Sequence, residues 1–312
     1  MFNKVFYTLL TVIALFATNA NGAPLAYSVN SDGQNEATWD SLYLIDLGAS
    51  GSEQRMGPLF SMSNNFFDTE GLAFDTNGML WGVDDDSRIL FPITNPQSPT
   101  INALDVITLP AFPTGGGNDF GMTFTCDGSL YVTSVVNQTL YRVNMNGYSQ
   151  VIGGLGALGA DISAIAATGN PAKLYGLGLG NVTAPALYSI DTQTGAATEV
   201  GPLLNAMPYH EAGLAFDANG GLWAITDRSG LNNQPSQVLM INTSTGEATP
   251  ASMTVETGFE SLAISAPTNC AASDVDTESD YPAIPALNRI GHLVTGICLA
   301  LIGLVTLRRR VF

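Results

Sequence analysis

Five carboxylates recur at one point of a repeating pattern and are the residues best placed for chemistry. Glu70, Asp119, Asp161, Glu211 and Glu260 each stand two or three residues ahead of the aligned positions Leu72, Met122, Ser163, Leu214 and Leu262. If the segments that follow them run the same way along a common axis, the five acids converge on one mouth. Like charges held that close in partly dehydrated surroundings raise one another's pKa unless a cation or hydrogen-bond donors neutralise them. A set of hard oxygen ligands suits Ca2+, so the five form a candidate metal site. The competing expectation is that each accepts backbone N–H bonds or points into water. Asp84, Asp85 and Asp227 are expected at the same face, where they enlarge the acidic field.

Other chemistries find little support. His210 is the single histidine between the two apolar ends of the chain, and no serine or cysteine near it is marked as a nucleophile. Cys126 lies in a turn beside Asp127-Gly128, far from the expected mouth, and there is neither a phosphate-cradling glycine loop nor a zinc-ligand spacing. No catalytic residue is assigned. Trp39, Trp81 and Trp223 are of a type that stacks on sugars, but Trp81 and Trp223 share one repeat position, which favours packed core.

The elements that must position these acids come from the repeat. GLAFDTNGMLWGVDD from Gly71, GMTFTCDGSLYVTSV from Gly121 and GLAFDANGGLWAITD from Gly213 share one pattern, with weaker copies in SAIAATGNPAKLYGL from Ser163 and SLAIS from Ser261. A second pattern follows, in SLYLIDLGASG, TLYRVNMNG, ALYSIDTQTGAATEVGPL and QVLMINTSTGEATP. The aligned positions are 50, 41, 51 and 48 residues apart. Each unit holds four short β-branched, aromatic and aliphatic runs broken by turn pairs such as Asn77-Gly78, Asp127-Gly128 and Asn219-Gly220. Four antiparallel strands at this period make a β-propeller blade. No apolar stripe of helical period lies between the ends, which excludes a helical solenoid.

The fold class expected is therefore an all-β propeller over residues 23–265. PLAYSVN, SLYLIDLG and SEQRMGPLF supply the last three strands of a blade whose first strand is SLAIS at the far end, so both termini close the ring and remove exposed edges. The count is five blades, or six if Asn95 to Asp119 hides a degenerate one.

Residues 1–22 read as a secretory signal: MFNK, an apolar VFYTLLTVIALFA and small residues, with cleavage after Ala20 or Gly22. The chain beyond it holds all 27 acidic residues but, up to residue 283, only Arg55, Arg88, Arg142, Lys173 and Arg228 as bases, a net charge of −22. Such a surface repels nucleic acid and anionic lipid, leaving cations, basic proteins and neutral sugars as partners. Cys126 and Cys270 are the two cysteines of this part; they permit one disulfide in an oxidising compartment or remain two free thiols.

Residues 266–283, rich in Ala, Ser, Asp, Thr and Pro, read as a flexible acidic linker. Ile290 to Leu307 then gives 18 residues with one His and no Asp, Glu, Lys or Arg, about 27 Å of helix at ~1.5 Å per residue, just enough for a hydrocarbon core of about 30 Å. Arg308, Arg309 and Arg310 stay inside, leaving the propeller on the outer side of the membrane. An ordinary single-span anchor would look the same.

Two resemblances add to this. Ile284-Pro285-Ala286-Leu287, Gly291, the apolar helix and the terminal arginines resemble the IPTL-type C-terminal sorting signal of exported Gram-negative bacterial proteins; that signal usually has Thr at Ala286 and Trp at Ile290. The resemblance spans residues 284–312 and implies an exosortase-like membrane protease as partner, cleavage near the Ile-Pro motif and delivery to the cell surface. The blade motif TEGLAFDTNGMLW resembles regucalcin, gluconolactonase-like and NHL-type propellers, and LYSIDTQTGAATEVGPL resembles secreted propellers of undefined activity. Together these readings describe an exported, surface-targeted propeller that binds a polysaccharide or protein without catalysis. The alternatives are a metal-dependent lactonase- or esterase-like hydrolase, as the second resemblance implies, and a purely structural envelope component.

Overall fold

The computed structural model describes residues 22–32, 39–59, 68–102, 104–114, 118–180 and 185–271. The signal segment up to residue 21, the sorting motif, the candidate membrane helix and the terminal arginines lie outside the described residues. Among the described residues no helix is long and apolar enough to cross a membrane.

The described residues form a five-bladed β-propeller. Blade one contains β1 (Leu25–Val29), β2 (Ser41–Asp46) and β3 (Gln54–Pro58). Blade two contains β4 (Thr69–Phe74), β5 (Leu80–Asp84), β6 (Ile89–Ile93) and β7 (Ile107–Thr108). Blade three contains β8 (Met122–Phe124), β9 (Leu130–Ser134), β10 (Thr139–Val143) and β11 (Ser149–Ile152). Blade four contains β12 (Ile162–Thr168), β13 (Lys173–Gly178), β14 (Ala186–Ile190) and β15 (Ala197–Pro202), and blade five β16 (Ala212–Phe216), β17 (Leu222–Thr226), β18 (Gln237–Ile241) and β19 (Ala248–Met253). Each sheet is an antiparallel meander in chain order, and in blades two to five its first strand is innermost. The stretch from Asn95 to Asp119 supplies β7 and its connections, so the sixth blade is ruled out.

Blade one lacks a first strand of its own and borrows one from the far end. Tyr27 N donates to Ala263 O at 2.8 Å and Ala263 N to Tyr27 O at 2.9 Å, and Asn30 bridges Phe259. Closure by both termini leaves no unpaired inner edge.

Local chemistry explains why the inner hairpins form. In β4–β5 the Asp75 carboxylate accepts from Asn77 N (2.8 Å) and Met79 N (2.9 Å), and its second oxygen from the Trp81 indole (3.3 Å). Asp217 repeats this on Asn219 N, Gly221 N and the Trp223 indole. Gly78 and Gly220 take the left-handed turn conformation at φ 80° and 83°, which a side chain would strain. Trp81 and Trp223 are thus latched to their own hairpins and packed between blades, as their shared position predicts. Trp39, by contrast, is 44% exposed.

A five-bladed ring is narrow, and the glycine opening three of the inner motifs, Gly71, Gly121 and Gly213, lets neighbouring strands meet at the axis. A Cβ on Gly213 would lie 2.3 Å from the Ser261 carbonyl carbon, and one on Gly71 2.8 Å from Phe120 O. At the end of the axis away from the acids, Ser265 to Thr268 lie across the strand ends beside Phe74, Phe124 and Phe216. Gly169 N donates to Thr268 O at 2.9 Å, and Cys126 and Cys270 form a disulfide. Ala266 to Cys270, assigned by composition to the linker, therefore belong to the propeller, because backbone pairing and a covalent bond hold them where apolar packing does not.

Candidate functional site

The acids assemble at one mouth, but in two tiers that the repeat alone does not separate. Asp85 N donates to Asp68 O (3.2 Å), Val135 N to Asp119 O (3.3 Å), Leu179 N to Asp161 O (3.0 Å) and Asp227 N to Glu211 O (2.8 Å). Asp68, Asp119, Asp161 and Glu211 are therefore structural equivalents, each entering the innermost strand of its blade. Glu70 is not one of them. The pairing of β4 with β5 jumps from Thr69–Asp84 to Gly71–Val83, leaving Glu70 as an extra, bulged residue. In blade four the jump from Ile162–Gly178 to Ala164–Leu177 leaves Ser163 in the same role. In blade one, Asn30 faces Phe259 while Tyr27 faces Ala263, again one residue too many on the inner strand, and Glu260 follows Phe259 as Glu70 follows Thr69. A bulge re-aims its side chain. Here it turns Glu70, Ser163 and Glu260 into a narrow cavity on the axis.

This corrects the sequence alignment in two respects. Ser163 stands at the place of Glu70, and Ile165, paired with Gly176 as Leu72 is with Gly82, stands at the place of Leu72. Of the five predicted acids, Glu70, Glu211 and Glu260 come together, with one oxygen of each within 4.8 Å of the others. Asp119 joins through a hydrogen bond with Glu211. Asp161 instead accepts from Gln138 Nε2 at 2.8 Å and belongs to no such cluster among the described residues.

The electrostatics follow from burial. Burial first, and then the neighbouring carboxylates, hold the acids of Glu70, Glu211 and Glu260 well above the ordinary range. Asp119, Asp84 and Asp227 are raised too, in each case chiefly by burial. Asp68 bonds Glu70, and Glu70 bonds Glu211, which continues to Asp119. Two carboxylates cannot hydrogen-bond without a proton between them, so this chain is stable only with shared protons or with a cation in their place. Ser163 Oγ, in a residue 4% exposed, faces the same axial cavity with no partner among the described residues. A hydroxyl oxygen left unbonded beside converging carboxylates fits a hard-cation ligand set.

A second acidic group flanks the axis on blade two. Oxygens of Asp68, Glu70 and Asp85 lie within 4.8 Å of one another. Asp68 is raised to about 6 and Asp85 to about 8, by burial and then by other carboxylates. Asp40, at the start of β2, is also raised to about 8 by burial and then by Asp68 and Asp84. On the other flank Asp32, Asp227 and Glu260 form a third group, and Ser31 Oγ donates to Glu260. Sequence reasoning expected Asp84, Asp85 and Asp227 here but missed Asp32, Asp40 and Asp68. For Asp68 a signal was available in the spacings: Glu70 and Glu260 stand two residues ahead of their aligned positions on bulged strands, whereas Asp119 and Glu211 stand three ahead on strands without a bulge; Asp32 and Asp40 carried no such signal.

His210 also lies at this mouth. Its N–H donates to Asp227 O at 2.9 Å, its carbonyl accepts from Gly180 N at 2.9 Å, and its imidazole packs over Gly230. Its charge bears on Asp32 and Asp227. The disulfide lies at the opposite end, in the β8–β9 turn, as the distance of Cys126 from the mouth predicts.

No family model matches the chain, and no curated protein matches it. Solved structures do. Virginiamycin B lyase from Staphylococcus aureus aligns with a TM-score of 0.40 and 19% identity, covering 75% of this chain and 71% of that one. A gluconolactonase from Xanthomonas campestris aligns at 0.41 and 13%, covering 76% and 78%. A putative gluconolactonase aligns at 0.42 and 13%, covering 76% and 80%. These similarities concern the propeller fold and transfer no residue role.

Proposed function

We propose that this chain is an exported, surface-targeted propeller that holds a hard divalent cation, Ca2+ by its ligand chemistry, at its acidic mouth and binds a neutral carbohydrate or a basic protein there. One observation carries the reading: Glu70, Glu211 and Glu260, from three different blades, bring carboxylate oxygens within 4.8 Å of one another, Glu70 and Glu260 being buried and Glu211 partly so. Three carboxylates with so little water between them need a counter-charge. Trp39, 44% exposed and adjacent in sequence to Asp40, is the aromatic residue we assign to a sugar ring. Export and tail processing rest on the signal segment and on the resemblance of Ile284-Pro285-Ala286-Leu287 and its arginine cluster to a sorting signal. The disulfide accords with an oxidising compartment.

The test is thermal unfolding of chelated protein with and without metal. A cation bound only to the folded state stabilises by about 2.7 kcal/mol at a hundredfold excess over Kd. Glu70→Gln with Glu211→Gln is expected to abolish the response and leave the apo protein unharmed, because it removes repulsion. Unmoved melting in millimolar Ca2+, Mg2+ and Mn2+ sinks the reading. Sugar binding that needs Ca2+ and weakens in Trp39→Ala locates the ligand.

His210 favours a second reading, a metal-dependent lactone or ester hydrolase, because its imidazole lies near enough to Asp227 at the same mouth for its charge to lower that acid's pKa. Metal-dependent hydrolysis that falls at least tenfold in His210→Ala, with Ca2+ stabilisation retained, distinguishes it from pure binding.

A further inference from the structure

We infer that the mouth holds two divalent cations, the second off the axis between Asp68, Glu70 and Asp85, with Glu70 as the carboxylate common to both. The inference rests on the reading that the axial acids bind a cation. The observation behind it is a contrast between equivalent residues. Asp85 and Asp227 occupy the same place after the second strand of their blades. Asp227 is satisfied, its two oxygens accepting from Ser229 N and Ser229 Oγ, both at 2.9 Å. Asp85 Oδ1 is buried with no partner among the described residues, in a side chain 5% exposed.

Among the described residues its surroundings supply no counter-charge. The neighbouring Asp84 is spoken for: one oxygen accepts from Ser87 N at 2.8 Å and from Ser87 Oγ, the other from Asp68 N at 3.2 Å. Arg88 gives its guanidinium to Phe112 O, and Arg228 to Pro208 O and Pro235 O. An oxygen stripped of water and of partners is costly. Asp68 and Glu70 aim oxygens at the same spot, within 4.8 Å, which makes an all-oxygen set suited to Ca2+ rather than to a softer metal. Glu70 belongs to both this set and the axial one, and the bulge that frees it from strand pairing is what lets it face both.

The experiment counts Ca2+ ions bound per chain by equilibrium dialysis of the chelated propeller, with titration calorimetry as a second measure. Two ions are expected for the wild type, one for Asp85→Asn, one for Glu211→Gln with Asp85 intact, and none for Glu70→Gln. Asp85→Asn keeps the side-chain shape, and its folded state is checked by circular dichroism; Asp68→Asn serves as an independent variant with the same expected count. One ion in the wild type, unchanged in Asp85→Asn, overturns the second site and leaves the axial reading standing. Two ions that persist in both Asp85→Asn and Asp68→Asn also overturn it. No ion at all removes the axial reading and this one together.

Discussion

Chelating the protein and raising the pH should destabilise it, opposite to the usual behaviour of acidic groups in folded proteins. The ordinary carboxylate is more acidic in the folded state, so its stabilisation appears as pH rises. Asp40 and Asp85 are the reverse: both are raised from 3.8 to about 8. In a window between about pH 5 and pH 7 the folded state keeps these protons while the unfolded chain has lost them, so stability falls as pH rises. Each excess proton costs about 1.4 kcal/mol per pH unit. A single one, held across two units, removes roughly 3 kcal/mol, or roughly 6–12 °C in Tm for a domain of this size. The fall should be complete near the folded pKa of about 8. Urea unfolding of chelated protein at several pH values measures the slope. Asp85→Asn should flatten it by about 1.4 kcal/mol per unit, and saturating Ca2+ should flatten it further, since the cation replaces the protons. Apo stability that is level or rising from about pH 5 to 7 would refute the burial argument.

The remaining predictions concern the frame. Gly213→Ala puts a methyl 2.3 Å from the Ser261 carbonyl carbon; it should cost at least the 1–3 kcal/mol of ordinary overpacking, and an unchanged Tm would show that the strands can part. Deleting Ser261 to Ser265 removes the strand that pairs with Tyr27 and should cost several kcal/mol or abolish folding, checked by circular dichroism. Cys270→Ser opens a disulfide closing a separation of 144 residues, an expected loss of up to about 5 kcal/mol under non-reducing conditions, read as a shift in denaturation midpoint. In the native host the surface form should lack Arg310; an intact mass that includes it rules out processing of the tail.

Much of the frame is legible residue by residue. Asn77-Gly78 and Asn219-Gly220 mark turns because only a residue tolerant of positive φ fits there, and the Asp75 and Asp217 carboxylates that brace them act within six residues. Short β-branched, aromatic and aliphatic runs such as LYVTS mark strands without reference to distant chain. The complementary fragments PLAYSVN and SLAIS reveal closure because an unpaired inner strand at each end has one way to be satisfied. The tiers of acid are another matter. Ser163 looks equivalent to Leu72 until its neighbours pair with Lys173 to Gly178, and Asp68 looks like a loop residue until its carbonyl receives the Asp85 N–H.

By itself, then, the chain's sequence determined the class of fold, the closure by both ends and the end of the ring at which the acids gather, since turn chemistry, strand periodicity and spacing are local properties. Only the tertiary structure decided which acids come together. One extra residue in an inner strand turns Glu70 and Glu260 onto the axis, leaves Asp161 to Gln138, and strands one oxygen of Asp85. That choice depends on register against another strand and on burial by neighbouring blades, neither of which is written at any single position.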